Sequence, residues 1–369
     1  MKTIRLLLVS LLVVGCTTKS VETLPLCVGT YGDYIYKVSF CEGQFSDVHP
    51  VAAPDASFVL PKAGEVVPAV SEHDPHSGIC SLRGDSLTAF NGDIGGSPCY
   101  LMQVDSLPYV LTADYNGGSI SVFAERDGIV GQRVQTVRYH GHGPVRGNQD
   151  QAHVHQLKTI PASIAASCGM RGTWLLATDL GADSIHVLRV NRAADADSLL
   201  TDCPALTFAL PAGSGPRHME FNEAQGLLYC LTELSGDVLT WQIAATDDGA
   251  PTFRLLQNVK ADEVDAGGSA DIHLHPSGRF LYTSHRLKED GISVFSVGPD
   301  GLLTKTGRVP TEGHPRHFFL TPDGRYLLAA CRDGHCVQVF TIDEATGALT
   351  STDSRLDTGH DGPVCVALR

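Results

Sequence analysis

Along most of this chain apolar and polar positions alternate in short bursts, bounded by Gly, Asp, Asn and Pro. The bursts are too short for helices and are rich in β-branched and aromatic residues, the pattern of strands. One burst recurs seven times. It appears as IYKV ending at Val38, LTAF at Phe90, ISVF at Phe123, IHVL at Leu188, VLTW at Trp241, ISVF at Phe295 and VQVF at Phe340. These ends are 52, 33, 65, 53, 54 and 45 residues apart. A more apolar strand precedes most copies: YVLTADY, WLLATDL, LLYCLTEL, FLYTSHR, YLLAACR. Hairpin turns such as Asn116-Gly117-Gly118 and Ser235-Gly236-Asp237 join the two.

A repeat of roughly 40–50 residues with several short strands predicts a β-propeller. A single four-stranded sheet cannot bury its own faces, whereas stacking around an axis buries both. The fold class read from the pattern is all-β, a seven-bladed β-propeller occupying 24–369 as one domain. PVCVAL at 363–368 is expected to pair with the strand in LPLCVGTY, so that the N- and C-terminal strands close the ring. A pair of β-sandwiches is the alternative; regular repeats without a linker count against it. Two intervals stand out. The 33-residue one predicts a trimmed blade connection. The 65-residue one contains RYHGHGPVRGNQDQAHVHQL, a His- and Gly-rich loop of a length that often carries function.

Composition narrows the partners. The 369 residues hold 27 Lys+Arg against 41 Asp+Glu, a net charge of −14. That balance excludes a nucleic-acid partner but not a small anionic ligand, because a few Arg residues reverse the sign locally. Lys2 and Arg5 precede an apolar run, Leu6 to Val14, too short to span a bilayer. Residues 1–15 therefore read as a signal peptide. Val13-Val14-Gly15-Cys16 has the form of a lipobox, which predicts lipidation of Cys16 and a tether over 16–23. The expected protein is an exported lipoprotein on the periplasmic or cell-surface side, a monomer touching the membrane only through its lipid. A plain signal peptide with an incidental Cys is the alternative. The ten remaining cysteines include no CxxC pair and no CxxCH haem site. Cys331, Cys336 and the adjacent His335 lack a second ligand pair at zinc spacing. Buried small hydrophobes are the expected role, and their pairing is not deducible. No cofactor and no metal are called for, although His153, His155 and Glu233 could bind an adventitious ion.

Four sets of polar residues interrupt otherwise apolar strands. His153 and His155 sit at alternate positions entering VHQLKTI, with Arg146, Gln149 and Gln156 nearby, and alternate positions share a face. Gly215-Pro216-Arg217-His218 has a counterpart in Pro315-Arg316-His317. Glu233 follows Tyr229 by four residues, as Arg286 follows Tyr282 and Arg332 follows Leu328. These three are expected to ring one channel mouth, where the arginines would pair a carboxylate that is costly to bury alone. Hairpin-tip charges in water are the alternative. Asp179 and Asp183, flanking a Gly turn, are expected to cap that turn.

Taken in order, CVGTYGDYIYKVSF, SPCYLMQVDSLPYVLTADYNGGSISVF, QAHVHQL, GSGPRHMEFN…LYCLTEL, HPSGRFLYTSHR…DGISVF and GHPRHFFLTPDGRYLLAACR resemble the seven-bladed lactonase family. That family includes bacterial propeller-type 6-phosphogluconolactonases and is related to fungal carboxymuconate lactonising enzymes. The resemblance covers nearly all of the chain after the tether. It implies catalytic roles for His155, Arg217, Glu233 and Arg286. His153, His218, Arg316 and Arg332 are then expected to contact substrate. The chain departs from the family pattern at Thr232, Asp114 and Cys331-Arg332, where the family has Asn, Asn and an Asn-Gln pair.

The chemistry implied is hydrolysis of a small anionic lactone, most simply 6-phospho-D-glucono-1,5-lactone. Glu233 or His155 would take the proton of the attacking water. Arg217 and Arg286 would hold the oxyanion or an anionic substituent. No GxSxG frame is present, so direct attack by water is expected rather than an acyl-enzyme. An exported lactonase for an unphosphorylated aldonolactone and a non-catalytic tethered binding protein remain alternatives. A haem or quinone propeller oxidoreductase is disfavoured by the missing haem motif.

Overall fold

A computed structural model describes residues 22–62, 65–104, 107–192, 195–247 and 249–369. The expected signal peptide, Cys16 and most of the expected tether lie outside these residues. The described chain forms seven antiparallel sheets, six of them built from consecutive strands. Six have four strands. In the seventh, two short strands, Leu200–Asp202 and Phe208–Ala209, share the outer position. One sheet combines the last strand, Pro363–Leu368, with the first, Leu24–Thr30, and their ladder runs from Leu26 opposite Leu368 to Thr30 opposite Pro363. The Asp361 carboxylate reinforces this closure, accepting from Asp33 N at 2.8 Å and Tyr36 Oη at 2.6 Å.

The buried apolar residues fall into seven clusters, one at each seam between neighbouring blades. Cys230, Leu239 and Trp241 face Leu176, Ile185 and Val187 across one seam, for example. Each fully buried Val, Leu or Phe contributes about 1.5–3 kcal/mol, so every blade depends on its neighbours for stability. Of the ten described cysteines all are free, and eight are buried.

The recurrent strand is the third of its blade in six cases. LTAF is the exception: it lies in Ser86–Asn91, the outermost strand of its sheet. The third strand there is Gly78–Arg83, whose equivalent burst, ICSL, ends at Leu82. The expected trimmed connection is therefore corrected, because aligning on Leu82 makes that part of the repeat regular. ICSL ends in Leu82 where four of the other copies end in Phe or Trp, so LTAF, ending in Phe90, matched the pattern better.

The innermost strands surround the channel. All seven are irregular against their neighbours at the same place, just after their first residue. The unpaired residues include Ser57, Cys99, His155, Arg217 and Arg316. A bulge re-aims the side chain it carries. Repeating it around the ring re-aims one residue in each of six blades, and in Ser269–Leu274 it leaves two, Ala270 and Asp271, outside the ladder.

Candidate active site at the channel mouth

Arg217 is placed by a locally determined loop. Gly213 N and Gly215 N both donate to the Asp183 carboxylate at 2.7 Å. Gly215 has a φ of +63°, and a Cβ there would lie 2.6 Å from Leu234 Cγ. Only glycine satisfies both conditions. Pro216 then starts the strand and Arg217 bulges out of the ladder. Asp179 also caps its turn as expected, accepting from His153 N and Ala182 N.

A second ring comes from the residues that follow each blade's second strand. It includes Tyr31, Glu72, Tyr115, Glu233, Arg286 and Arg332. Their backbone N–H groups repeat one contact: Glu233 N donates to Gly215 O, Arg286 N to Gly268 O and Arg332 N to His314 O. The bulge ring and this rim ring interlock. Arg217 Nε donates to Glu233 Oε2 at 2.8 Å, and Arg286 Nη2 reaches Glu233 Oε1 at 2.9 Å. Arg316 Nη2 donates to Glu72 Oε1 at 3.1 Å, and Tyr31 Oη donates to Glu72 Oε2 at 2.5 Å. The Arg316 guanidinium lies over the Tyr31 ring, 5.3 Å from its centroid. Three largely buried guanidinium groups thus face two carboxylates, one positive charge in surplus. Burial brings the Arg286 pKa down to about 10.

His153 and His155 meet the same Tyr115 ring, each in its own way. His153 precedes its strand, stacks on Tyr115 at 4.2 Å and bonds Tyr115 O through Nδ1 at 2.9 Å. His155, in the bulge, meets the same ring edge-on at 5.8 Å. Burial, and then the Arg217 guanidinium, hold the His155 pKa well below the usual imidazole range. Its Nδ1 is buried and has no hydrogen-bond partner. Such an atom is costly unless a ligand or water completes it. His218 lies one step deeper, between the His155 ring at 5.2 Å and Asp271, whose Oδ1 is 2.7 Å from His218 Nδ1.

Arg332 is the candidate that does not join. Its side chain turns to Asp333, at 2.7 Å, instead of Glu233. It lines a separate cavity of 560 Å3 with Tyr31, Asp33, Asp55, His73 and Asp74. Tyr31 is the wall shared by this vestibule and the buried cluster. Deeper, Glu72, Cys99, Arg217, His218 and Arg316 enclose only 10 Å3, the space of about one water. Burial pushes the Cys99 thiol well above its ordinary pKa, so it is no thiolate nucleophile.

Glu72, Tyr31 and Asp271 escaped the sequence reading. Glu72 and Tyr31 occupy the same position as Glu233 and Arg286, so extending that equivalence to every blade would have found them. Asp271 has no such signal. Asp271, His273 and His317 bring one potential metal ligand each within 4.8 Å of one another. However, His317 Nδ1 accepts from Val366 N, which puts the ring proton on Nε2, the atom facing Asp271. The His273 pKa is raised to about 9: burial opposes protonation, but Asp271 and Glu220 outweigh it. Among the described residues, a proton on His273 pairs with the Asp271 and Glu220 carboxylates.

The family model described as "Lactonase, 7-bladed beta-propeller" matches residues 12–368. The chain is 31% identical over 317 residues to a 6-phosphogluconolactonase of Bacillus subtilis, covering 83% of this chain and 84% of that one. It is 32% identical over 283 residues to a 6-phosphogluconolactonase of Formosa agariphila, covering 75% and 76%. A crystal structure of a putative 6-phosphogluconolactonase from Bacteroides fragilis superposes with a TM-score of 0.84 at 34% identity, covering 96% of this chain and 99% of that one. Fold, repeat and matched length agree: this chain belongs to the seven-bladed β-propeller lactonase family, and is a hydrolase of that class.

Proposed function

We propose that the protein opens 6-phospho-D-glucono-1,5-lactone to 6-phosphogluconate at the channel mouth, by direct attack of water. The observation that carries this reading is that a surplus buried guanidinium charge acts on His155, whose buried Nδ1 has no hydrogen-bond partner. A lactone approaches through the vestibule beside Tyr31. The water oxygen adds to the lactone carbonyl carbon and its proton passes to His155 Nδ1. Arg217 and Arg286 meet the oxyanion, a contact that strengthens as charge develops. Collapse breaks the bond to the ring oxygen, which takes the proton and leaves as the hydroxyl of the open acid. Glu233 holds both guanidinium groups in place, which leaves His155 as the base. The names of the relatives support a phosphorylated substrate.

One observation favours a second reading. The basic and apolar leader, ending at Cys16, addresses the chain for export and lipid attachment. An exported enzyme meets unphosphorylated aldonolactones, and the vestibule carries Asp33, Asp55 and Asp74, which disfavour a phosphate. Comparing kcat/KM on the phosphorylated and unphosphorylated lactones, corrected for spontaneous hydrolysis, separates the two. A preference of about tenfold or more for the phosphorylated substrate supports the first. No rate above background on either would indicate a binding protein instead.

A further inference from the structure

Asp271 is a buried carboxylate on the innermost strand Ser269–Leu274. Ile272 N donates to its Oδ1 at 3.0 Å and Phe318 N to its Oδ2 at 3.1 Å. Against these fixed oxygens lie His218 Nδ1 at 2.7 Å from Oδ1 and His273 Nε2 at 3.0 Å from Oδ2. An ionised carboxylate only accepts, so His218 Nδ1 must carry the ring proton. Burial, and then Arg217, lower the His218 pKa to about 3, so the ring is neutral. Its Nε2 is then a lone pair. The group 3.3 Å from that lone pair is Arg217 Nη1, which has only hydrogens to offer. The same guanidinium donates from Nη1 to Ala270 O and from Nε to Glu233.

We propose that Asp271 is a positioning residue for the reaction: by fixing the tautomer of His218 it supplies the acceptor that locks the Arg217 guanidinium against Glu233. The other tautomer would set Nε2–H against Nη1–H and push Arg217 off its place. A chain of donors and acceptors therefore runs from the backbone N–H groups of Ile272 and Phe318, through Asp271 and His218, to the cation at the mouth. Asp271 touches no reacting atom. The catalytic half of this inference rests on the role assigned to Arg217 above; the tautomer half does not.

Histidine 15N NMR of the full chain tests the relay without any substrate. His218 is expected to show a protonated Nδ1 and an unprotonated Nε2, and Arg217 Nε–H a resonance shifted by its carboxylate acceptor. In Asp271→Asn the Nε2–H form of His218 should appear, the Arg217 Nε–H resonance should move, and kcat/KM should fall about ten- to a hundredfold, the effect of a small misplacement of a catalytic group. In His218→Gln the side-chain carbonyl can face Arg217 without help from Asp271. Adding Asp271→Asn to that variant should then change kcat/KM less than about twofold. A merely structural Asp271 would cost the same factor in both backgrounds, and that result overturns the proposal. A wild-type His218 protonated on Nε2 overturns it too, even if Asp271→Asn fails to fold. A wild-type protein with the expected tautomer but no lactonase rate would sink the proposed function and leave the relay standing.

Discussion

Arg217 and Glu233 meet at 2.8 Å although each comes from a different ring of the channel, one from a bulge and one from a hairpin end. The same carboxylate holds Arg286 at 2.9 Å. Replacing Glu233 with Gln leaves two buried cations facing each other without a counter-charge. Breaking a buried ion pair from one side costs about 3–5 kcal/mol. Urea unfolding of Glu233→Gln is expected to show a loss of that order; a midpoint within error of wild type would mean that the pair is not held as described.

Glu72 supplies the second negative charge, paired to Arg316 and Tyr31. In Glu72→Gln the mouth gains one more unit of positive charge. The KM for a phosphorylated lactone is expected to fall relative to that for its unphosphorylated counterpart, by about threefold or more, and the difference should shrink as salt is raised. Steady-state kinetics on the two substrates check the ratio.

Stability should fall steeply toward acid. Burial lowers the pKa of His155 far below the usual range, of His218 to about 3 and of His317 to about 4; His285 and His314 are lowered as well. In the unfolded chain all five take up protons near pH 6.5, while the native protein does not. Stability is thus lost as pH drops from 7 toward 4, with about four to five protons taken up by these histidines on unfolding near pH 5.5, partly offset by the one that buried Asp114, raised to about 6, gives up. His273 works the other way. Raised to about 9, it contributes stability below pH 6.5 that disappears as pH rises through 9. Thermal melts across this range should show a maximum between about pH 7 and 8.5; a Tm independent of pH from 5 to 7 would contradict the assignment.

The packing of the first strand on the next blade depends on one close approach. A Cβ on Gly29 would lie 2.6 Å from Ser57 O and 2.8 Å from Ala56 O, backbone atoms that cannot rotate away. Gly29→Ala should therefore separate the first strand from the neighbouring blade and cost about 1–3 kcal/mol, the range for overpacking. Denaturation midpoints would detect this directly.

Much of this architecture could be read from the residues. Strand alternation, period and the meeting of the chain ends were legible because each blade repeats its own hydrophobic pattern. One blade was misplaced, and the consequence spread. Taking Phe90 for the end of its third strand hid Val66–Ser71 as the second strand, and with it Glu72 at the strand's end. Arg332 shares the rim position of Arg286, yet the adjacent Asp333 captures it. Sequence equivalence fixes where a side chain begins but not which neighbour wins its charge. Asp271 was invisible for a different reason. His273 shares its strand, but His218 and His317 come from the blades on either side, and only the packing of neighbouring blades brings them to it.

The central claim is that the arginines of the mouth act on a lactone. The most direct measurement is the rate of 6-phosphogluconolactone opening above the spontaneous rate, in wild type and in Arg217→Ala, with circular dichroism confirming that both are folded. The expected result is clear catalysis by the wild type and a loss of at least about tenfold in the variant, as for removal of an oxyanion donor. A folded Arg217→Ala protein that opens the lactone as fast as wild type would contradict the account.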